Sequence, residues 1–176
     1  IDGIQNDYLE EVKRKYPERF FVFGMFDFFN GSPVRQVEEL YGRGFRGIAI
    51  PGHRLILNGR RVYLSSPEMM EMFKLMERKG MILSICLAEN HQQMDEIKEV
   101  IAECPDLKIA IGHFGMVTQP GWEEQIMLAG NKNVYVESGG ITWLFNSEFY
   151  PYPSAVRAIR EAIDMVGAEK LMWGSD

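Results

Sequence analysis

The chain carries three histidines, and each follows an apolar run rich in β-forming residues. His53 lies three residues past Ile50, His91 four past Leu87, and His113 comes directly after Ile109–Gly112. Three acidic residues occupy comparable places: Asp27 past the run at 20–26, Glu137 near the end of 133–138, and Asp176 after 170–174. An imidazole can bind a metal or move a proton near neutrality. A carboxylate beside it can accept the proton of an attacking water. Taken singly, a strand-end histidine reads as a hydrogen-bonding loop residue and a strand-end aspartate as a helix N-cap. All the histidines at the same end of successive runs read as a site, because parallel α/β folds place their chemistry beyond the carboxyl ends of the strands.

The elements that must position these groups recur along the chain. Strand-like runs begin near Phe20, Phe45, Met81, Leu107, Asn133 and Lys170. Between them lie segments of helical period. Ser32-Pro33 and Ser66-Pro67 each supply an N-cap and a first-turn proline. They lead the stripes Val34, Val37, Leu40, Tyr41 and Met69, Phe73, Met76. Met94, Ile97, Ile101 and Cys104 form a third stripe, and Val156, Ile159, Ile163 and Val166 a fourth, closed by Gly167. Residues 120–129 predict a short helix, and 51–61 a long basic loop. Continuous rather than alternating apolar strands imply a parallel sheet covered by helices. The fold class is therefore α/β, either doubly wound or a barrel. No strand end carries the glycine spacing of a dinucleotide-binding turn. A (β/α)8 barrel takes about 250 residues, about 70 more than the 176 here.

Composition places residues 1–176 in a single globular domain, with 46% hydrophobic and 12% aromatic residues. The net charge of −6 argues against nucleic acid and anionic membranes as partners. No apolar run reaches the length of about 18 residues needed for a membrane span, and the residues from Ile1 onward do not read as a basic-then-apolar signal segment. Two cysteines, Cys86 and Cys104, do not make a disulfide framework and read as reduced thiols of a cytoplasmic protein.

"IAIGHFG" (109–115), "NVYVESGG" (133–140) and "GAEKLMWGSD" (167–176) resemble the last three strand regions of the amidohydrolase superfamily, in its amidohydrolase-related branch. "NDYLEEVKRKYPERF" (6–20) and "GFRGIAI" (44–50) resemble it too, in the right order. The resemblance implies a partial (β/α)8 TIM barrel of about six βα units. The family's first two strands, its opening His-x-His pair and its last helix would be absent. It also implies a hydrolase that attacks a lactone or amide-like bond with water. Asp176 would be general base and metal ligand. His113 would be a metal ligand, or would orient the water or polarise the carbonyl. The implied cofactor is a divalent metal, zinc by expectation. Cys86 stands where many members have a strand-five histidine, which leaves metal dependence open: a thiolate can bind zinc, whereas a cysteine within such a strand reads as a small buried hydrophobe. Lactonase-like members also lack that histidine.

Substrate contacts are assigned to Arg54, which can grip a carboxylate with two parallel bonds, to His53, to Glu137 and to Trp143 as a pocket wall. His91 reads as the start of the next helix. The expected partner is a small molecule, a carboxylated lactone or an aromatic acid, and a homo-oligomer is compatible. Two other readings stand beside the hydrolase: a non-oxidative decarboxylase on the same scaffold, and a non-catalytic barrel remnant. A partial barrel is expected not to turn over on its own.

Overall fold

The computed structural model describes residues 3–88 and 93–176; His91 lies outside them. Helix α1 (Asn6–Lys15) precedes β1 (Phe23–Gly24), α2 (Pro33–Gly42) and β2 (Gly47–Pro51). A small hairpin, β3 (Ile56–Leu57) and β4 (Arg60–Arg61), follows. The chain continues as α3 (Pro67–Arg78), β5 (Ile82–Cys86), α4 (Met94–Glu103), β6 (Lys108–Ile111) and α5 (Trp122–Met127). It closes with β7 (Val134–Glu137), α6 (Ile141–Leu144), α7 (Pro153–Val166) and β8 (Leu171–Met172).

The main sheet runs β1-β2-β5-β6-β7-β8, and every neighbouring pair is parallel. The order follows the sequence and never turns back. A doubly wound sheet must reverse at a switch point, so this sheet is an arc of a singly wound barrel, as expected.

Strand periodicity decides what each face does. Ile48, Ile50, Leu83, Ile85, Ile109, Ile111, Val134 and Val136 are fully buried, and they share one core with Val37, Leu40, Met72, Met76, Ile97 and Val100 of the helices. Residues of the other parity form the second face. Ala49, Ser84, Ala110 and Tyr135 stand in one row by register, and Cys86 pairs with Pro51 in the row nearer the strand ends. Removing one of the buried isoleucines to alanine costs about 2–5 kcal/mol by the usual cavity argument.

Three details differ from the sequence reading. The loop at 51–61 contains the β3–β4 hairpin. Its two turn residues, Asn58 and Gly59, take φ of 49° and 77°, the left-handed pair that a two-residue turn demands. Ser32 and Ser66 hold the N-cap positions without a side-chain capping bond. Helix α7 buries Ala155, Ala158 and Ala162, while Val156 and Ile163 stay partly exposed. Small residues let this helix approach its neighbours more closely than the branched stripe would.

Candidate active site

The loops after β2, β6, β7 and β8 build the rim. Behind β2, the fully buried Gln93 joins two strand ends: its Nε2 donates to Gly52 O at 3.1 Å and its Oε1 accepts from Ala88 N at 2.8 Å. The loop is pinned again where Glu96, itself buried, accepts from Leu64 N at 2.5 Å and pairs with Arg61. This fixes the turn that carries His53 and Arg54.

After β6 the backbone enters a run of left-handed residues: His113 (φ 51°), Phe114 (φ 49°), Gly115 (φ 60°) and Met116 (φ 55°). Only glycine adopts this region freely, so the surroundings must hold the others there. Phe114 is buried and stacks on Trp122 with ring centres 6.4 Å apart. A Cβ on Gly115 would lie 2.9 Å from Gln125 Cβ, so the turn tolerates no larger residue at that point.

His113 is gripped on both ring nitrogens. Its Nδ1 lies 2.9 Å from Cys86 Sγ, and its Nε2 3.4 Å from Asp176 Oδ1. Trp143 sets its ring edge-on to the imidazole at 5.5 Å and donates its indole Nε1 proton to Asp176 Oδ2 at 2.7 Å. That hydrogen bond is the main cause holding the Asp176 carboxyl below its ordinary range; partial burial opposes it and His113 reinforces it. Asp176 is an ionised carboxylate at neutral pH, as an ordinary aspartate is. Glu137 accepts from Gly139 N at 2.8 Å. It lies so near Gly174 that a side chain there would collide with its carboxylate. Burial pushes the Cys86 thiol up to about 12, with Glu137 and Asp176 adding to the effect.

His113, Asp176, Trp143 and Glu137 thus gather at one end of the sheet. His53 and Arg54 line a separate cavity of about 510 Å³ with Asp27, Phe26, Phe28, Phe29, Ile56 and Leu57, and none of those four residues lines it. Arg54 Nη1 lies 3.9 Å from Met25 Sδ. Asp27 caps its own turn by accepting from Phe29 N at 2.9 Å and from the Asn30 side chain. The sequence reading treated Cys86 chiefly as packing and missed its contact with His113. Strand parity carries the signal: Cys86 shares the face of Ser84 and opposes Leu83 and Ile85.

Two donors bound to one tetrahedral ion at about 2.1 Å each stand about 3.4 Å apart. The separation of His113 Nε2 and Asp176 Oδ1 matches that edge. Among the described residues, no group of three or more His, Cys, Asp or Glu side chains stands together as a metal cage. Cys86 faces the opposite ring nitrogen, so it does not share an ion with Nε2.

Residues 1–176 match the family described as amidohydrolase. The chain belongs to the amidohydrolase family. A curated relative, the uncharacterized protein y4mH of Sinorhizobium fredii, is 30% identical over 155 residues, covering 79% of this chain and 49% of that protein. A candidate 2-pyrone-4,6-dicarboxylic acid hydrolase from Pseudomonas putida matches with a TM-score of 0.69 at 23% identity, over 99% of this chain and 63% of that one. A TIM-barrel protein from Bordetella bronchiseptica gives 0.70 at 18% identity, over 97% of this chain and 58% of that one. The dihydroxybenzoic acid decarboxylase of Polaromonas, solved with manganese and the inhibitor 2-nitroresorcinol, gives 0.64 at 16% identity, over 97% and 62%. With the sheet order, these likenesses make the amidohydrolase fold here a partial TIM barrel. The chain spans about half the length of its curated relative and less than two thirds of these solved structures. No helix among the described residues is long and apolar enough to cross a membrane.

Proposed function

We propose that this amidohydrolase hydrolyses a lactone or a related ester- or amide-like bond, with Asp176 as general base. The observation that carries the reading is the placement of the Asp176 carboxylate, oriented by the Trp143 indole and facing His113 Nε2. An ionised carboxylate can take a proton from water as it attacks and return it to the leaving group. His113, aimed by the strained turn after β6, orients that water or polarises the scissile carbonyl. A divalent metal, zinc on this reading, would be held by His113 and Asp176 and would make a bound water acidic near neutrality; the manganese of the Polaromonas neighbour supports a divalent ion.

The cavity beside Arg54 and His53 suits a small apolar ring carrying a carboxylate, which the guanidinium would grip. A carboxylated lactone of the 2-pyrone class fits that description and the name of the Pseudomonas putida neighbour. Glu137 and Trp143 complete the rim. The test is turnover of such lactones by the full-length protein and its Asp176→Asn variant. We expect a loss of about 10²–10⁴-fold with an unchanged melting curve. Full activity in the variant would remove Asp176 from the mechanism.

The Polaromonas likeness favours a second reading, decarboxylation of an aromatic acid on the same groups. Carbon dioxide release from hydroxybenzoic acids, without acid release from lactones, would select it.

A further inference from the structure

We infer that Asp27 is a specificity-determining residue of the cavity that holds Arg54: it favours a ligand with a single carboxylate and a hydrogen-bond donor elsewhere on its ring, and it turns dicarboxylates away. The inference rests on the reading of Arg54 as the carboxylate grip, and it names the class of acid that the grip serves. The cavity, at about 510 Å³, falls within the range of about 300–1,000 Å³ usual for small-molecule sites.

The fold sets two opposite charges around this one cavity. β1 and β2 are parallel neighbours, so the loops beyond their carboxyl ends share a rim; Asp27 comes from the first loop and Arg54 from the second. The two do not pair with each other. Arg54 Nη1 has Met25 Sδ at 3.9 Å, a weak acceptor that leaves the guanidinium its donors. Asp27 accepts from Phe29 N on Oδ1 and from the Asn30 side chain on Oδ2, and each oxygen keeps a lone pair. It is charged at neutral pH, as an ordinary aspartate is. The rest of the lining is largely apolar. Phe26 and Phe28 are buried with ring centres 4.6 Å apart, and the β3–β4 hairpin adds Ile56 and Leu57. Among the described residues, Arg54 is the one arginine or lysine in the lining. Arg60 stands outside it, with its guanidinium over the Phe29 ring at 5.1 Å from the centroid. His53 can serve either kind of ligand group, because an imidazole both donates and accepts, whereas Asp27 can serve only a donor. A second carboxylate would therefore meet a like charge against walls that displace water, where charge interactions strengthen. A hydroxyl in the same place would find an acceptor.

The test is calorimetric binding of two meta-substituted benzoates to the full-length protein at low salt. 3-Hydroxybenzoate carries a donor, and benzene-1,3-dicarboxylate carries a second charge in the same place. We expect the hydroxy acid to bind about tenfold more tightly, as like-charge rejection at a partly exposed group allows. Asp27→Asn keeps an acceptor for Phe29 N and removes the charge, so the dicarboxylate should gain and the preference largely disappear. Arg54→Gln should weaken both acids. Equal or tighter binding of the dicarboxylate by the unmodified protein overturns the inference without any variant having to fold. So does a preference that survives intact in Asp27→Asn. Failure of both acids to bind, or binding untouched by Arg54→Gln, removes the carboxylate grip and the inference with it. None of these readouts needs turnover, so the expected preference in a protein that opens no lactone would sink only the hydrolase reading.

Discussion

The indole Nε1 of Trp143 donates a hydrogen bond of 2.7 Å to Oδ2 of Asp176, so a residue of α6 restrains a carboxylate beyond β8. The bond spends one carboxylate oxygen on orientation and leaves the other, Oδ1, toward His113. It also makes Asp176 more acidic than an ordinary aspartate.

Trp143→Phe keeps a ring against His113 and removes only the donor. The carboxyl should then titrate nearer its ordinary range, so the acid limb of the pH–rate profile should move to higher pH. Turnover should fall about tenfold, since a hydrogen bond to a charged group is worth about 1.5–3 kcal/mol before solvent weakens it. The sign for stability follows from the lowered pKa. Asp176 stabilises the fold above its unfolded value, and that contribution disappears as pH falls through the lowered folded value. The variant should lose this part at a higher pH than the parent. Acid titrations of both proteins by circular dichroism check it, and coincident acid limbs would count against the bond.

Glu96 offers a stability test away from the rim chemistry. It is buried, accepts from Leu64 N at 2.5 Å and pairs with Arg61, tying the loop after β2 to α4. Glu96→Ala strands the Leu64 N–H and breaks a partly buried ion pair, at a cost of about 3 kcal/mol. Glu96→Gln keeps an acceptor and should cost about half of that. Urea unfolding of the two variants separates the contributions; equal losses would mean that the Leu64 contact adds nothing.

Much of the architecture was legible because burial on the helical face demands apolar residues. The six parallel strands sit within the six apolar runs, and Met69, Phe73 and Met76 form the α3 stripe that their spacing predicts. The hairpin was harder to see: Asn58-Gly59 is a strong turn signal, but Ile56-Leu57 and Arg60-Arg61 are pairs without alternation. On α7, two stripes of helical spacing competed, and packing selected the alanines over the larger residues. His113 and Asp176 could be placed at one rim from strand ends alone. That Trp143 holds Asp176 could not, because the two are 33 residues apart and brought together by the pairing of β7 with β8. His53 and Arg54 fall in a separate cavity for a related reason. Strand-end position names the rim but not the place along it.

Gly52 tests the rim turn itself. A Cβ there would lie 2.6 Å from both Cys86 O and Ala88 N and would crowd Gln93 Oε1. Two of those atoms are backbone and cannot swing aside. Gly52→Ala should therefore destabilise by about 2–3 kcal/mol and loosen the turn that bears His53 and Arg54. Gly42, with open space around it at the end of α2, is the control. Alanine there should be neutral or stabilising. Thermal melts decide; equal effects at both positions would refute the crowding argument.

The two thiols give a last prediction, on reactivity. The nucleophile in alkylation is the thiolate. Burial, helped by Glu137 and Asp176, pushes the Cys86 thiol up to about 12, and burial pushes Cys104 up to about 11. An ordinary cysteine has a pKa of about 8.5 and is substantially ionised at pH 8. In the native protein both thiols should stay protonated there and react with iodoacetamide far more slowly than free cysteine. The two should still differ in how denaturant releases them. Cys86 is partly exposed at the strand-end rim, so local opening should release it at lower denaturant than Cys104, which is 1% exposed and packed in the core. Mass spectrometry of the labelled peptides across a urea series measures both. Prompt labelling of Cys86 at pH 8 without denaturant would show that the sulfur is not shielded by burial. Labelling of both thiols only together, at the global transition, would show that the rim does not open ahead of the core.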